Sequence, residues 1–178
     1  IFGASKVSAD VMVQEYGKYF DLNTVCFRCC CLTGPDHKGA ELHGFLSYLI
    51  KCATHDKPYT IFGDGKQVRD NIHSWDLVNQ FWHYHQKPRA GEVYNAGGGR
   101  DNSTSIIEAI LKVNSILKEH DRPMWDKFTI EEDRWRVGDH KWYITDLSKF
   151  QSHYPDWRMK HSLENLTTEM ITNEIKIT

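Results

Sequence analysis

The chain has 178 residues, of which 40% are hydrophobic and 26% are charged, and its formal net charge is -2. This composition is ordinary for a globular protein. So small a net charge creates no field that would recruit nucleic acid or an anionic membrane. The longest apolar run, residues 44–50, is far shorter than the ~20 residues that span a bilayer. We therefore expect neither a nucleic-acid nor a membrane partner.

Apolar residues recur three and four apart directly after Ile1, which predicts a helix that ends near Phe20 and buries one face. Lys6 falls in the first turn of this helix, where the partial positive charge of the helix end favours acidic residues instead. A solvated surface lysine is the ordinary interpretation of such a position. The predicted buried face comprises Ala9, Met12, Val13, Tyr16 and Phe20.

Residues 24–32 are β-prone and mostly apolar, which predicts a buried strand of a parallel sheet. Four of the five cysteines lie here, and Cys26 and Cys29 fit a C-x-x-C spacing. No second pair follows, and a redox motif of this kind opens a helix. We interpret the cysteines as small buried hydrophobes in a reducing compartment, predict no metal site and expect a cytoplasmic protein.

Helices and strands then alternate to the end of the chain. We predict helices over residues 41–53, 75–86 and 162–175, a helix opening at Ser105 and a short one ending at His153. The predicted strands cover residues 59–62, 67–72, 92–96, 129–131 and 142–144. Ser74 is the expected N-cap of its helix, and Ser105 with Glu108 fits a capping box. The alternation predicts an α/β fold.

Arginines in or just after extended segments are candidates for phosphate binding. The guanidinium fork binds phosphate oxygens in pairs, and ligands of open α/β sheets gather at the carboxyl ends of strands. Arg69 and Arg136 could therefore hold a diphosphate, with Asp139 accepting from a ribose hydroxyl. The alternative is that these arginines form ordinary ion pairs with aspartates close by in the sequence.

Two further segments have more than one interpretation. His37 and His43 flank the predicted start of the helix over 41–53 and could line a cleft, although a solvated surface position is the default. Residues 97–99 are consecutive glycines between a strand and a helix, which suits a phosphate loop. They lack the G-x-G-x-x-G spacing, so we interpret them as a flexible connector.

Taken together, these pieces occur in the order found in the latter half of an extended short-chain dehydrogenase/reductase. The chain resembles the NAD-dependent nucleotide-sugar epimerase/dehydratase family. The resemblance implies an α/β fold made of the last elements of a Rossmann-type parallel sheet and a smaller mixed substrate-binding lobe, without the N-terminal half of the fold. The matching segments are residues 2–6, 27–28, 31–35, 41–46, 65–73, 92–95, 97–99 and 136–140.

The resemblance also implies a division of the chain and a set of site residues. Residues 1–35 would end the NAD-binding domain, and 36–178 would mainly form the nucleotide-sugar-binding lobe, with 67–97 returning to the Rossmann domain. Lys6 matches the lysine of the family's Tyr-x-x-x-Lys pair, but Phe2 stands at the tyrosine position and has no ionisable hydroxyl. Cys29 and Cys31 are assigned with Lys6 to the cofactor, and Arg69, Arg136, Asp139, His43 and Asn95 are assigned to the substrate.

The implied activity is epimerisation or dehydration of a nucleotide-diphosphate sugar through transient, NAD-dependent oxidation of a sugar carbon, in a protein expected to be a homo-oligomer. Because the family's phosphate loop and central strands are not among these residues, we expect the 178 residues alone to bind NAD poorly and to be inactive. The alternative is a non-catalytic nucleotide-sugar-binding protein on the same fold, which Phe2 favours.

Overall fold

The computed structural model describes residues 1–135 and 137–177, which form six helices and eight strands and confirm the predicted α/β class. The helices are α1 (Phe2–Phe20), α2 (Phe45–Thr54), α3 (Ser74–Gln86), α4 (Ile106–Glu119), α5 (Ser148–His153) and α6 (Leu163–Ile177). The strands are β1 (Val25–Cys29), β2 (Cys31–Thr33), β3 (Tyr59–Phe62), β4 (Val68–His73), β5 (Glu92–Ala96), β6 (Ser103–Ser105), β7 (Phe128–Glu131) and β8 (Trp142–Tyr143). Within the described residues, no helix combines the length and apolarity needed to cross a membrane.

Strand β4 has more neighbours than the other described strands. It pairs in parallel with β2 and β8 and antiparallel with β6. The other pairs, β1 with β5 and β3 with β7, are both parallel. Segments from distant parts of the chain therefore meet along β4. Its side chains lie between these segments.

The strand predicted over residues 24–32 is in fact two strands that separate at Cys30. The backbone N–H of Cys30 still donates to Ala96 O at 2.9 Å, as part of the contact with β5. Directly afterwards, Cys31 pairs with Asn71 of β4. The chain thus passes from one sheet to the next within a single residue, which an apolar run cannot reveal.

The helix predicted to begin at Glu41 begins four residues later, at Phe45. Ala40 and His43 exchange backbone hydrogen bonds of 2.8 and 2.9 Å, which closes a tight turn. Gly44 follows with φ 73°, a left-handed backbone that interrupts a right-handed helix and suits glycine. Leu42, which lies within the predicted helix over residues 41–53, is therefore outside α2 and is 61% exposed.

The caps of α3 and α4 differ in how well the sequence predicted them. The capping box is confirmed, because Ser105 Oγ accepts from the N–H of Glu108 while the Glu108 carboxylate accepts from the N–H of Ser105. These bonds hold the pKa of Glu108 below its usual range. Ser74 is not the N-cap but the first residue of α3, since Nδ1 of His73 accepts from Trp75 N at 2.9 Å.

Helix α1 has the predicted length, but the prediction of its buried apolar face is wrong for the described residues. Met12 is 57% exposed, Tyr16 48% and Phe20 66%. The helix contacts the sheet through another face, where Asp10 receives the guanidinium of Arg28 at 2.8 and 2.9 Å. The apolar stripe therefore lies on the outer surface of this part of the fold.

Two groups of apolar side chains form most of the interior. Helices α2, α4 and α6 enclose the larger group, which includes Leu49, Val113 and Leu166. An aromatic group lies between α3, β5 and α5, and Tyr94, Phe150 and Trp157 are its most deeply buried members. Together these groups hold the helices against the strands that carry the candidate site.

The three glycines at 97–99 form a closely packed connector from β5 to β6. A Cβ on Gly98 would lie 2.0 Å from the backbone oxygen of Asn71, and one on Gly97 would lie 2.1 Å from Thr145 Oγ1. The N–H of Gly99 donates to Asp70 Oδ2 at 2.8 Å. Close packing, and not the expected flexibility, is therefore the reason for glycine here.

The substitution Gly98→Ala should lower the free energy of unfolding by ~1–3 kcal/mol or more. Its methyl group would meet the backbone oxygen of Asn71, which cannot rotate away. The matched control is Gly3→Ala in α1, where no atom lies within 4 Å of the new Cβ. That change should leave stability unchanged or raise it by up to ~1 kcal/mol. Urea unfolding measures both, and equal stabilities would contradict the packed connector.

Candidate functional site

A cavity of about 740 Å³ runs along strand β4. Gln67, Arg69 and Asn71 line it, since alternate residues of an extended segment lie on one face. Cys31 and Thr33 of the neighbouring strand β2 contribute to the same wall. The loop over residues 34–44, the start of α2 and strand β3 enclose the remaining sides.

Arg69 and Asp139 form an ion pair on the cavity wall. Nη2 of Arg69 donates to Asp139 Oδ1 at 2.7 Å, and Nη1 donates to Val68 O at 2.7 Å. Both side chains line the cavity, so Arg69 is paired with a distant aspartate, and not with one close by in the sequence, at a place open to a ligand. Arg136, the second predicted diphosphate ligand, lies outside the described residues.

Helix α2 directs its N-terminus at this cavity. Gly44, Phe45 and Leu46 line it, no side chain caps the helix, and its first turn has no acidic residue. The first backbone N–H groups of a helix have no acceptor within it, and the helix dipole adds partial positive charge there. Arg69 and the α2 N-terminus therefore offer donors to an anion, in a lining that also carries the carboxylates of Asp36, Glu41 and Asp139.

His37 and His43 both line the cavity, where His37 is half-buried and His43 is exposed, so His43 occupies a cleft position that is also solvated. Their ring centroids are 6.1 Å apart, and Nδ1 of His37 lies 3.1 Å from Thr33 Oγ1. Burial, and then the proximity of His43, lower the pKa of His37. A neutral imidazole at this place can exchange hydrogen bonds with a ligand in either direction.

Phe2 and Lys6 lie together at the start of α1, away from the cavity lining. The Lys6 Nζ is 5.5 Å from the centre of the Phe2 ring, and Phe2 is 77% exposed. Helix α1 runs opposite to β1, because Thr24 contacts Val13 whereas Arg28 contacts Asp10. Lys6, one turn before Asp10, therefore lies further along α1 in the direction of the carboxyl end of β1.

The structure separates the two cysteines that the resemblance assigned to the cofactor. Cys31 lines the cavity, and burial raises its pKa to about 11, so its thiol is protonated at neutral pH. Cys29 is exposed on β1 and does not line it. Cys26 and Cys29 lie on opposite faces of that strand, since residues three apart alternate sides, and the C-x-x-C spacing therefore brings no pair of thiols together.

Asn95 is a predicted substrate ligand that the structure does not bring to the cavity. It lies exposed on β5, where it pairs with Arg28 of β1, and its Nδ2 donates to Asp146 O at 3.4 Å. Of the predicted substrate residues that the structure describes, only Arg69, Asp139 and His43 line the cavity. Asn95 therefore lies on a different sheet from the cavity, although the resemblance assigned it to the same substrate site as the other residues.

One described residue suits one end of an NAD molecule. Lys6, which the resemblance assigns to the cofactor, is exposed, so its ammonium is accessible to the hydroxyls of a ribose. The triglycine connector cannot cradle the phosphates, because Asn71 and Thr145 occupy the space that a phosphate loop leaves open. Among described residues, the fit is therefore limited to the nicotinamide-ribose end.

The sequence analysis missed a cluster formed by His73, His161 and Glu169, whose potential ligand atoms lie within 4.8 Å of one another. The two rings stack at 4.0 Å with an interplanar angle of 17°. Imidazole lone pairs lie in the ring plane, so nearly parallel stacked rings do not direct two nitrogens at one ion. His73 Nδ1 already accepts from Trp75 N, and His161 Nδ1 lies 2.9 Å from Asp76 Oδ2. We interpret the cluster as a connection between α3 and α6.

The pH dependence of stability should contain a contribution from His37. Its folded-state pKa is lowered, so the unfolded chain takes up the proton first and stability falls as pH drops below the ordinary imidazole pKa of ~6.5. The variant His37→Gln should lose part of that fall, whereas His85→Gln, at an exposed position of α3, should keep it. Urea unfolding at about pH 7 and about pH 5 measures the difference. An identical fall in all three proteins would contradict the assignment.

Comparisons with known proteins relate the chain to one family. Residues 1–97 match the family model described as the NAD dependent epimerase/dehydratase family. CDP-paratose 2-epimerase of Salmonella typhi is 27% identical over 176 residues, which are 95% of this chain and 50% of that protein. The structure of dTDP-glucose 4,6-dehydratase from Bacillus anthracis in complex with NAD is similar, with a TM-score of 0.78 and 26% identity over 97% of this chain and 51% of that one.

A further solved structure shows the same fold at lower identity. UDP-glucuronic acid 4-epimerase from Bacillus cereus, in complex with UDP-glucuronic acid and NAD, has a TM-score of 0.80 and 24% identity over 99% of this chain and 53% of that one. The chain thus spans about half the length of the relatives it matches. The family model covers more than half of the chain, and the resemblance seen in the sequence is confirmed. The chain belongs to the NAD-dependent epimerase/dehydratase family.

Proposed function

We propose that this protein binds a nucleotide-diphosphate sugar in the cavity along β4 and, in its full-length form, epimerises or dehydrates it with NAD. The observation that carries the proposal is the convergence of Arg69 and the uncapped N-terminus of α2 on one cavity of about 740 Å³. An arginine fork and a helix N-terminus are both suited to phosphate oxygens. A diphosphate between them would anchor the middle of an elongated ligand.

The orientation of the ligand follows from the position of α1. Lys6 lies in the direction of the carboxyl end of β1, so a cofactor held there would face the end of the cavity formed by Cys30, Cys31 and Asn71. The reactive sugar belongs at that end, and the nucleoside belongs at the other, near Gln67 and β3. NAD, when bound, supplies a hydride acceptor for the oxidation of the sugar carbon.

The finer assignments are also proposals. Similarity to CDP-paratose 2-epimerase supports a CDP sugar and reaction at its C2. The division into residues 1–35 and 36–178, with 67–97 returning to the Rossmann domain, and a cytoplasmic location are kept as predicted. The exposed apolar stripe of α1 supports the expected homo-oligomer, since such a surface favours burial against other protein.

The substitution Arg69→Ala should weaken binding of a CDP or UDP sugar by ~1.5–3 kcal/mol, the range for hydrogen bonds to a charged group. Isothermal titration calorimetry measures the affinity. Arg122→Ala is the matched control, because Arg122 is exposed and does not line the cavity. Unchanged affinity of the Arg69 variant, with thermal unfolding showing that it is folded, would remove Arg69 from the diphosphate site.

A turnover experiment separates the enzyme from the non-catalytic binding protein that Phe2 favours. We expect the full-length protein with NAD to change the configuration at C2 of a CDP-3,6-dideoxyhexose, without restoration of tyrosine at Phe2. Proton NMR of the sugar follows the reaction, and Lys6→Met should abolish turnover while leaving nucleotide-sugar affinity intact. If the ligand binds and its configuration stays unchanged, with or without Phe2→Tyr, the binding protein is the correct interpretation.

A further inference from the structure

The nucleoside end of the cavity contains a buried amide oxygen that has no hydrogen-bond partner among the described residues. Gln67 lines the cavity and is 7% exposed, and its Nε2 donates to Phe62 O at 2.8 Å. A backbone carbonyl can only accept, so this bond fixes which side of the amide carries the hydrogens. Oε1 is therefore the group left unpaired.

An unpaired buried acceptor is unfavourable, and folded proteins retain few of them. Asn71, on the same face of the strand, resembles Gln67 in this respect: its Nδ2 donates to Arg69 O at 3.3 Å, and its Oδ1 is unpaired. Asn71 is 0% exposed and Gln67 is 7% exposed, and both unpaired oxygens are themselves buried, so a ligand reaches either one only after a side-chain rearrangement. We base the inference on Gln67 because it keeps the larger exposed fraction.

The order of side chains along β4 relates Gln67 to the parts of a ligand. Gln67, Arg69 and Asn71 follow one another over ~13 Å, at ~3.3 Å per residue. Asn71 lies beside Cys31, which follows the carboxyl end of β1, the direction in which Lys6 lies along α1. With a diphosphate at Arg69, the opposite end next to Gln67 receives the nucleoside.

The surroundings of Gln67 suit a flat aromatic base. Phe62 and Ile106 line this end of the cavity, and the Arg134 guanidinium carbon lies 4.9 Å from the centre of the Phe62 ring. A pyrimidine ring presents an N–H donor, either the exocyclic amine of cytosine or the ring N–H of uracil. These are the groups that an unpaired amide oxygen lacks.

We propose that Gln67 Oε1 accepts a hydrogen bond from the pyrimidine base of the nucleotide, which makes Gln67 a base-binding residue of this site. The inference rests on the proposed function, because it presupposes a nucleotide in the cavity. It adds a contact to the base itself, separate from the diphosphate contacts of Arg69 and the α2 N-terminus.

The test uses calorimetry with CDP, UDP and inorganic pyrophosphate as probes. The variant Gln67→Met keeps the side-chain length and removes the acceptor, together with the Nε2 donor to Phe62 O. We expect it to bind CDP or UDP about 3- to 10-fold more weakly, the range for one neutral hydrogen bond, and to bind pyrophosphate as before. Gln151→Met, at an exposed position outside the cavity, is the matched control and should change neither. An equal loss for pyrophosphate, or no loss for either nucleotide, overturns the proposal.

A measurement on the ligand side makes the result independent of how well the variant folds. In the unaltered protein, N4,N4-dimethyl-CDP or N3-methyl-UDP, which lack the base N–H, should bind about 3- to 10-fold more weakly than the parent nucleotide. The penalty should disappear in Gln67→Met. The nucleotide that shows the penalty identifies the base.

The outcomes separate this inference from the proposed function. If CDP, UDP and their methylated analogues all bind with equal affinity, a water molecule satisfies Gln67 and the inference is wrong, while the diphosphate site stands. If neither pyrophosphate nor any nucleotide binds the unaltered protein, the proposed function fails and the inference fails with it.

Discussion

The buried carboxylate of Asp70 is the contact on which the shape of the candidate site depends. Its Oδ2 accepts from the N–H of Gly99 at 2.8 Å and from the N–H of Thr145 at 3.2 Å. These bonds attach the connector after β5 and the segment after β8 to the middle of β4. Because Asp70 points away from the cavity, its neighbours Arg69 and Asn71 face into it. The same strand therefore fastens the fold on one side and presents the binding groups on the other.

The sequence predicted those elements whose signals are local. The capping box at Ser105 and the strand over residues 59–62 need only neighbouring residues, and both were found where expected. The division of residues 24–32 at Cys30 and the late start of α2 depend on contacts with Ala96 and on the backbone of Gly44. Such features arise from tertiary structure, which periodicity does not encode.

Some residues of the candidate site could likewise be predicted from local sequence signals, and others could not. Arg69 could be found because an arginine after an extended segment is a recognisable phosphate ligand. Its pairing with Asp139, 70 residues away, requires the parallel register of β4 and β8. The proposed role of Gln67 depends on one oxygen being buried and unpaired. In the sequence, its two-residue spacing from Arg69 is the one feature that points to it. The exposed stripe of α1 was missed because its spacing is that of any amphipathic helix.

Recognition and chemistry are assigned to separate parts of this structure. The groups that line the cavity come from residues 30–139, whereas Lys6 and Phe2 lie outside it at the start of α1. In the proposed site, phenylalanine at position 2 would remove a proton acceptor, and Phe2 is not among the residues that line the cavity along β4. Affinity for a nucleotide can therefore persist whether or not the sugar is oxidised. Nucleotide affinity therefore tests the proposed role of the cavity, and turnover tests the proposed role of the N-terminus of α1. Neither measurement replaces the other.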